Sequence, residues 1–253
     1  MMSPLKTASP DLIVRHVLLP KAGHTLAECE DAFACNRTTM RFAVADGATE
    51  SFDSASWAQR LATKWVNTSG LLTTEEFWSW LKNEGQAHND SWNRQDLPWY
   101  SMEKRQAGSF AAFVGVEIQI GREAKWKAIA LGDSCFVQSR NGNVEVVFPV
   151  SSSAGFGSAP ILAPSFADVN PHALSAIALQ SGDILAGDRI LLLSDAIAAW
   201  YLSSCEKQDH KTTSAFDDLL NDGDEAAIAN FLELERSPGR LKDDDVAIVC
   251  LEF

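Results

Sequence analysis

EDAFACNRTTMRFAVADG, residues 30–47, holds two short apolar runs, Asp31–Cys35 and Arg41–Ala45, joined by the polar segment Asn36–Thr39. Two such runs around a polar connection read as a β-hairpin. Its acidic residues, Glu30, Asp31 and Asp46, sit where apolar runs meet turns. The placement recurs further on. Asp195 follows the apolar run Arg189–Ser194, and Asp243, Asp244 and Asp245 precede the run Val246–Phe253. If folding gathers these clusters, it lines a pocket with carboxylate oxygens, the donors that hard divalent cations such as Mg²⁺ and Mn²⁺ take.

Outward from the hairpin, Leu12–Leu19 is an aliphatic run closed by Pro20, which predicts a first strand and a turn over Lys21–His24. Ala58, Leu61, Ala62 and Trp65 recur at helical spacing behind Ser54, a residue suited to an N-cap. A second helix is expected from about Thr74 to Arg94, capped by Thr73 or Thr74, with Glu75 and Glu76 near the positive end of its dipole. Its Trp78, Trp80 and Trp92 read as packing residues. Gly108–Gln119, Lys125–Leu131, Ser134–Arg140 and Val144–Phe148 predict a meander of antiparallel strands, with Asn141, Gly142 and Asn143 as a hairpin turn. Residues 150–170 are rich in Ser, Gly, Ala and Pro, and a loop of that length predicts a flap over or beside the pocket. Ala196–Leu202, Phe216–Leu220 and Glu225–Glu235 predict helices. Strand runs interspersed with paired helical segments predict sheets flanked by helices, in one domain over residues 1–253, and not a regularly alternating βαβ fold.

With 21 basic and 34 acidic residues the formal charge is −13, so the mean surface field repels nucleic acid and anionic membranes and argues against a nuclease. Cys29, Cys35, Cys135, Cys205 and Cys250 are odd in number and lack CxxC spacing, which argues against a disulfide framework or zinc site and for a reducing compartment. No run approaches the roughly 18 apolar residues of a membrane span. A cytoplasmic protein is expected, with no nucleic-acid or membrane partner.

Six short motifs in register, Glu30-Asp31-Ala32-Phe33, Ala45-Asp46-Gly47, Gly108-Ser109, Leu131-Gly132-Asp133-Ser134, Leu193-Ser194-Asp195 and Asp244-Asp245-Val246, resemble the metal-dependent protein phosphatase family, also called type 2C or PPM. The resemblance covers roughly residues 10–253 and looks like a small bacterial-type member. It implies an α+β fold, a four-layer α-β-β-α sandwich of two antiparallel sheets flanked by helices, with two Mg²⁺ or Mn²⁺ ions in a cleft at one end. Carried over residue by residue, Asp46 would bridge the ions, and Glu30 and the Gly47 carbonyl would complete one ion's protein ligands. Asp195 and Asp244 would hold the other, and Asp31 would orient bound water. Gly132, Asp133 and Ser134 resemble a structural element behind the site.

The chain also departs from that pattern. The phosphate-holding Arg expected about four residues before the Glu-Asp pair is Leu26, with Lys21 or His24 as nearby substitutes. The His-Gly-Gly continuation after Asp-Gly is Ala48-Thr49-Glu50, which makes His24 the nearest candidate acid for a leaving alkoxide. Ala196 and Ala199 replace a Gly and an acidic residue, and Arg105 and Gln106 stand where a third metal's Asp would lie, so two ions are expected. The leading expectation is a phosphoserine/phosphothreonine protein phosphatase in which a water between two cations attacks phosphorus. A noncatalytic phosphoprotein-binding or regulatory relative is the alternative. A phosphatase of small phosphate esters is the third.

Overall fold

The computed structural model of the chain describes residues 12–70, 73–92, 99–157, 159–170 and 172–253. Residues 1–11 and Arg94, the expected end of the second helix, lie outside them. The strands are β1 (Ile13–Leu19), β2 (Asp31–Asn36), β3 (Arg41–Gly47), β4 (Phe110–Gln119), β5 (Ala124–Leu131), β6 (Cys135–Arg140), β7 (Asn143–Phe148), β8 (Ala163–Pro164), β9 (Ala178–Ile184), β10 (Asp188–Leu193) and β11 (Val246–Glu252). The α-helices are α1 (Ser54–Val66), α2 (Thr74–Trp92), α3 (Trp99–Ala107), α4 (Asp195–Glu206), α5 (His210–Asp222) and α6 (Glu225–Arg236).

Two antiparallel sheets form, one in the order β1-β11-β10-β6-β7 and the other β2-β3-β4-β5-β9, with β8 on β4. Side chains alternate across a strand, so a strand covered on both faces is apolar at odd and even positions alike. On β3, Phe42 and Val44 enter the core between the sheets while Ala43 and Ala45 face α1. On β11, Ala247, Val249 and Leu251 point between the sheets, and Val246, Ile248 and Cys250 pack under the helices of the opposite face. Helices α1 and α2 cover one sheet and α4, α5 and α6 the other. The expected four layers are present.

The meander is corrected. Leu131 of β5 pairs with Phe113 in one sheet, whereas Cys135 of β6 pairs with Leu193 in the other. The chain changes sheets at Gly132, whose φ of +104° and approach to Ala112, with a Cβ placed 2.7 Å from the Ala112 Cα, admit no side chain. Asn141 and Gly142 form the expected hairpin turn, with φ of 50° and 79°. Strand β9 was not anticipated. It is an edge strand with mostly solvent-facing positions and a central Gly182, so it lacks the apolar run that marks the buried strands. Helix α1 does start at Ser54, but Asp53 occupies the cap position, and the Ser54 hydroxyl donates to Glu30 Oε1 at 2.6 Å. The Thr73 hydroxyl caps α2 by accepting from the Glu76 amide at 3.1 Å. Trp80 and Trp92 are buried and Trp78 packs against the same core, as expected of packing residues.

Trp126 lies in the core between the sheets, 1% exposed, with Nε1 donating to Gln138 Oε1 at 3.0 Å. Trp126→Ala leaves both a cavity and a Gln138 Oε1 without its donor. The expected loss of unfolding free energy is about 3–5 kcal/mol, read from urea denaturation curves.

Candidate active site

Register places the acidic residues at one end of the sandwich. Asp31 and Asp46 are direct cross-strand partners at the start of β2 and the end of β3, and Asp46 continues in register to Ala112 at the start of β4. In the other sheet, Leu193 pairs with Ile248, which leaves Asp195 and the Asp243–Asp245 run just beyond the same edge. Asp133 sits on the crossing between the sheets.

The β3–α1 connection is tight. The Gly47 amide donates to the Glu30 carbonyl at 3.1 Å, and a Cβ on Gly47 would lie 2.8 Å from Ser54 backbone and 2.9 Å from the Glu30 carbonyl. Close approach of three backbone segments therefore requires glycine here. Above it the Glu30 carboxylate is already engaged: Oε1 accepts from Ser54 and Oε2 from Thr49, each at 2.6 Å, and Lys21 Nζ is 3.7 Å from Oε2.

The three consecutive aspartates divide their work. Asp245 accepts from the backbone amides of Lys21 and Glu30, one on each oxygen at 2.8 Å, and so fastens the β1–β2 connection. Asp243 accepts from the Ala22 amide at 2.9 Å. Asp244 turns its Oδ2 to Lys242 Nζ at 2.6 Å, and the same ammonium lies 3.5 Å from Asp195 Oδ2. Arg236 holds this segment by donating to the Asp244 carbonyl at 2.6 Å and the Pro20 carbonyl at 3.1 Å.

Mutual repulsion marks these carboxylates as one group. Burial pushes the Asp31 carboxyl up to about 8, with the Ser194 hydroxyl pulling back and Asp195 and Asp245 adding repulsion. Burial also lifts Asp46 well above the ordinary carboxylate range, reinforced by Asp31, Asp195, Asp133 and Asp244. Asp133, read from sequence as structural, is raised to about 6 by burial and by Asp195, and so belongs to the cluster. Lys242 was not singled out from sequence at all. Its signal there is a cation two positions before Asp244 in the run Lys242-Asp243-Asp244-Asp245.

The donor set fits hard divalent cations: oxygen ligands, more negative charge than the neighbouring ammoniums neutralise, and a buried Asp31 Oδ2 with no hydrogen-bond partner. In the arrangement seen, no group of three or more His, Cys, Asp or Glu among the described residues is disposed to hold a metal ion. Beside Asp133 and Asp195 opens a cleft of about 870 Å³, bordered by Ser153, Phe156 and Pro160 of the loop expected to form a flap. His24 lies on an exposed turn, its amide donating to the Lys21 carbonyl at 3.1 Å and Glu28 as its charged neighbour. Leu26 is 62% exposed, and Lys21, the other substitute considered for the missing Arg, does reach the site through Glu30.

No family model matches the chain, and no curated protein does. Solved structures do match. The serine/threonine phosphatase PstP/Ppp of Mycobacterium tuberculosis aligns at 17% identity over 96% of this chain and 98% of that one, with a TM-score of 0.62. The catalytic domain of PstP in complex with two manganese ions aligns at 17% identity over 95% and 98%, TM-score 0.58. The photosystem II phosphatase PBCP aligns at 18% identity over 96% and 98%, TM-score 0.59. The fold is that of the type 2C protein phosphatases, as the motif resemblance implied. Among the described residues no helix is long and apolar enough to cross a membrane.

Because Asp31 keeps its proton in the folded chain up to about 8 and loses it near 4 when unfolded, the unfolded chain binds fewer protons between those values. Stability of the metal-free protein therefore falls as pH rises through that window. Thermal melts from about pH 5 to 8 are expected to show a shallower decline for Asp31→Asn than for the wild type.

Proposed function

We propose that this chain is a Mg²⁺- or Mn²⁺-dependent phosphatase of phosphoserine and phosphothreonine in proteins. The observation that carries the proposal is the gathering of Asp31, Asp46, Asp133, Asp195 and Asp244 around one end of a type 2C fold, beside an open cleft. Asp46, with Glu30 and the Gly47 carbonyl, would hold one cation, and Asp195 and Asp244 the other. When bound, the two ions supply a lowered water pKa and charge stabilisation for in-line displacement at phosphorus.

The chain's own residues do the rest. Asp31, buried and cross-strand to Asp46, would orient water beside the reacting centre. Asp245 fixes the backbone of Glu30 and so ties that residue to the Asp243–Asp245 run. The cleft and its bordering loop would receive the phosphorylated segment. His24, exposed on the turn three residues after Lys21, is the side chain offered to protonate the leaving alkoxide.

A second reading, a noncatalytic phosphoprotein binder, draws on the saturation of Glu30 by Thr49, Ser54 and Lys21 and on Leu26 at the expected Arg position. Hydrolysis of p-nitrophenyl phosphate separates the two. Turnover is expected to require Mn²⁺ and to fall to background in Asp46→Asn and in Asp195→Asn, both still folded by circular dichroism. Wild-type rates in both variants would remove the proposed site; Mn²⁺ binding without any turnover would favour the binder.

A further inference from the structure

We propose that the Lys242 ammonium is a built-in counter-ion for Asp195 and Asp244, so that a divalent cation enters this half of the site only by displacing it. The inference rests on the phosphatase reading above and concerns how that site fills. Lys242 Nζ lies between the two carboxylates, 2.6 Å from Asp244 Oδ2 and 3.5 Å from Asp195 Oδ2. Asp133 feels the same positive charge. Arg240, the nearby cation on the cleft, is committed elsewhere: its guanidinium donates to both oxygens of Glu235 at 2.6 and 2.8 Å.

The geometry also lets the ammonium leave. The backbone here is held, since the Asp244 amide donates to the Lys242 carbonyl at 3.0 Å and Arg236 grips the Asp244 carbonyl. The Lys242 side chain is 64% exposed and borders the 870 Å³ cleft, so its flexible four-carbon stem can swing out without disturbing the loop. Charge arithmetic then sets the direction of the effect. Two carboxylates and one ammonium leave a net −1 to attract a divalent ion, whereas the carboxylates alone present −2. An exposed ammonium is also a weak competitor, screened by solvent and salt, so the site is tuned by it and not blocked.

The test is isothermal titration of the metal-free protein with Mn²⁺, for wild type, Lys242→Met and Lys242→Arg. Lys242→Met is expected to tighten one Mn²⁺ site by about three- to tenfold, the scale of two partly exposed ion pairs. Lys242→Arg, which keeps the charge, is expected to bind as the wild type does. Metal-free Lys242→Met should melt below the wild type, and saturating Mn²⁺ should close or reverse that gap. Equal or weaker Mn²⁺ binding by a folded Lys242→Met overturns the proposal. If in that case the wild type still binds Mn²⁺ and hydrolyses p-nitrophenyl phosphate, the phosphatase reading survives alone. If no form binds Mn²⁺, both readings fall together.

Discussion

Asp31 and Asp46 meet as a cross-strand pair at the mouth of the sandwich, buried so that ionising both would set two like charges directly against each other. The sheets must hold them there against that repulsion. They do so because β3, β4, β10 and β11 are buried on both faces, with side chains between the sheets and under the helices. Slipping any of these strands by one residue would swap its two apolar sets, and the packing on both faces resists that. Core packing thus supplies the rigidity that an acidic site needs and its own electrostatics oppose.

Two further contacts carry this constraint across the sheets. Asp245 stands at the head of β11 in one sheet and takes the amides of Lys21 and Glu30, on the connection that leads to β2 in the other. Arg236, buried at the end of α6, clamps the carbonyls of Pro20 and Asp244 from below. Removing the Asp245 carboxylate would therefore free both amides and loosen Glu30 relative to Asp244. In this arrangement an aspartate beside the site is a brace, and its neighbour in sequence is the one left facing a cation.

The layered fold was legible because doubly buried strands are written as uninterrupted apolar runs, as in Arg189–Ser194 and Val246–Phe253, and because Glu30, Asp31 and Asp46 punctuate the first hairpin. Where sequence misled, the cause was physical. A strand that pairs with its successor and one that crosses to a facing sheet share the same local pattern, so β5 and β6 read as neighbours in a meander. Strand β9 has one neighbour and much of its surface in water, and nothing obliges it to be apolar. At the site, the carboxylates announced themselves by type and placement. Lys242 and Asp133 did not, since their part depends on which charges folding sets beside them, and a one-dimensional pattern does not carry that distance.

Thr49 and Ser54 bear on how the two halves of the site differ. On the Glu30 side the carboxylate is held by two neutral hydroxyls and a more distant ammonium at 3.7 Å. On the Asp195–Asp244 side it is an ammonium at 2.6 and 3.5 Å that does the holding. A cation arriving at Glu30 displaces two neutral hydroxyls as well as the looser Lys21 ammonium, and one of those hydroxyls, on exposed Thr49, can turn to water at little cost. A cation arriving between Asp195 and Asp244 must move a like charge that sits closer, at 2.6 Å from one carboxylate. The replacement of the usual histidine segment by Ala48-Thr49-Glu50 is therefore more than a loss of a side chain, because Thr49 now orients the acid that follows the turn. It leaves a site whose carboxylates are kept in place by the chain itself and whose two halves fill against different opposition.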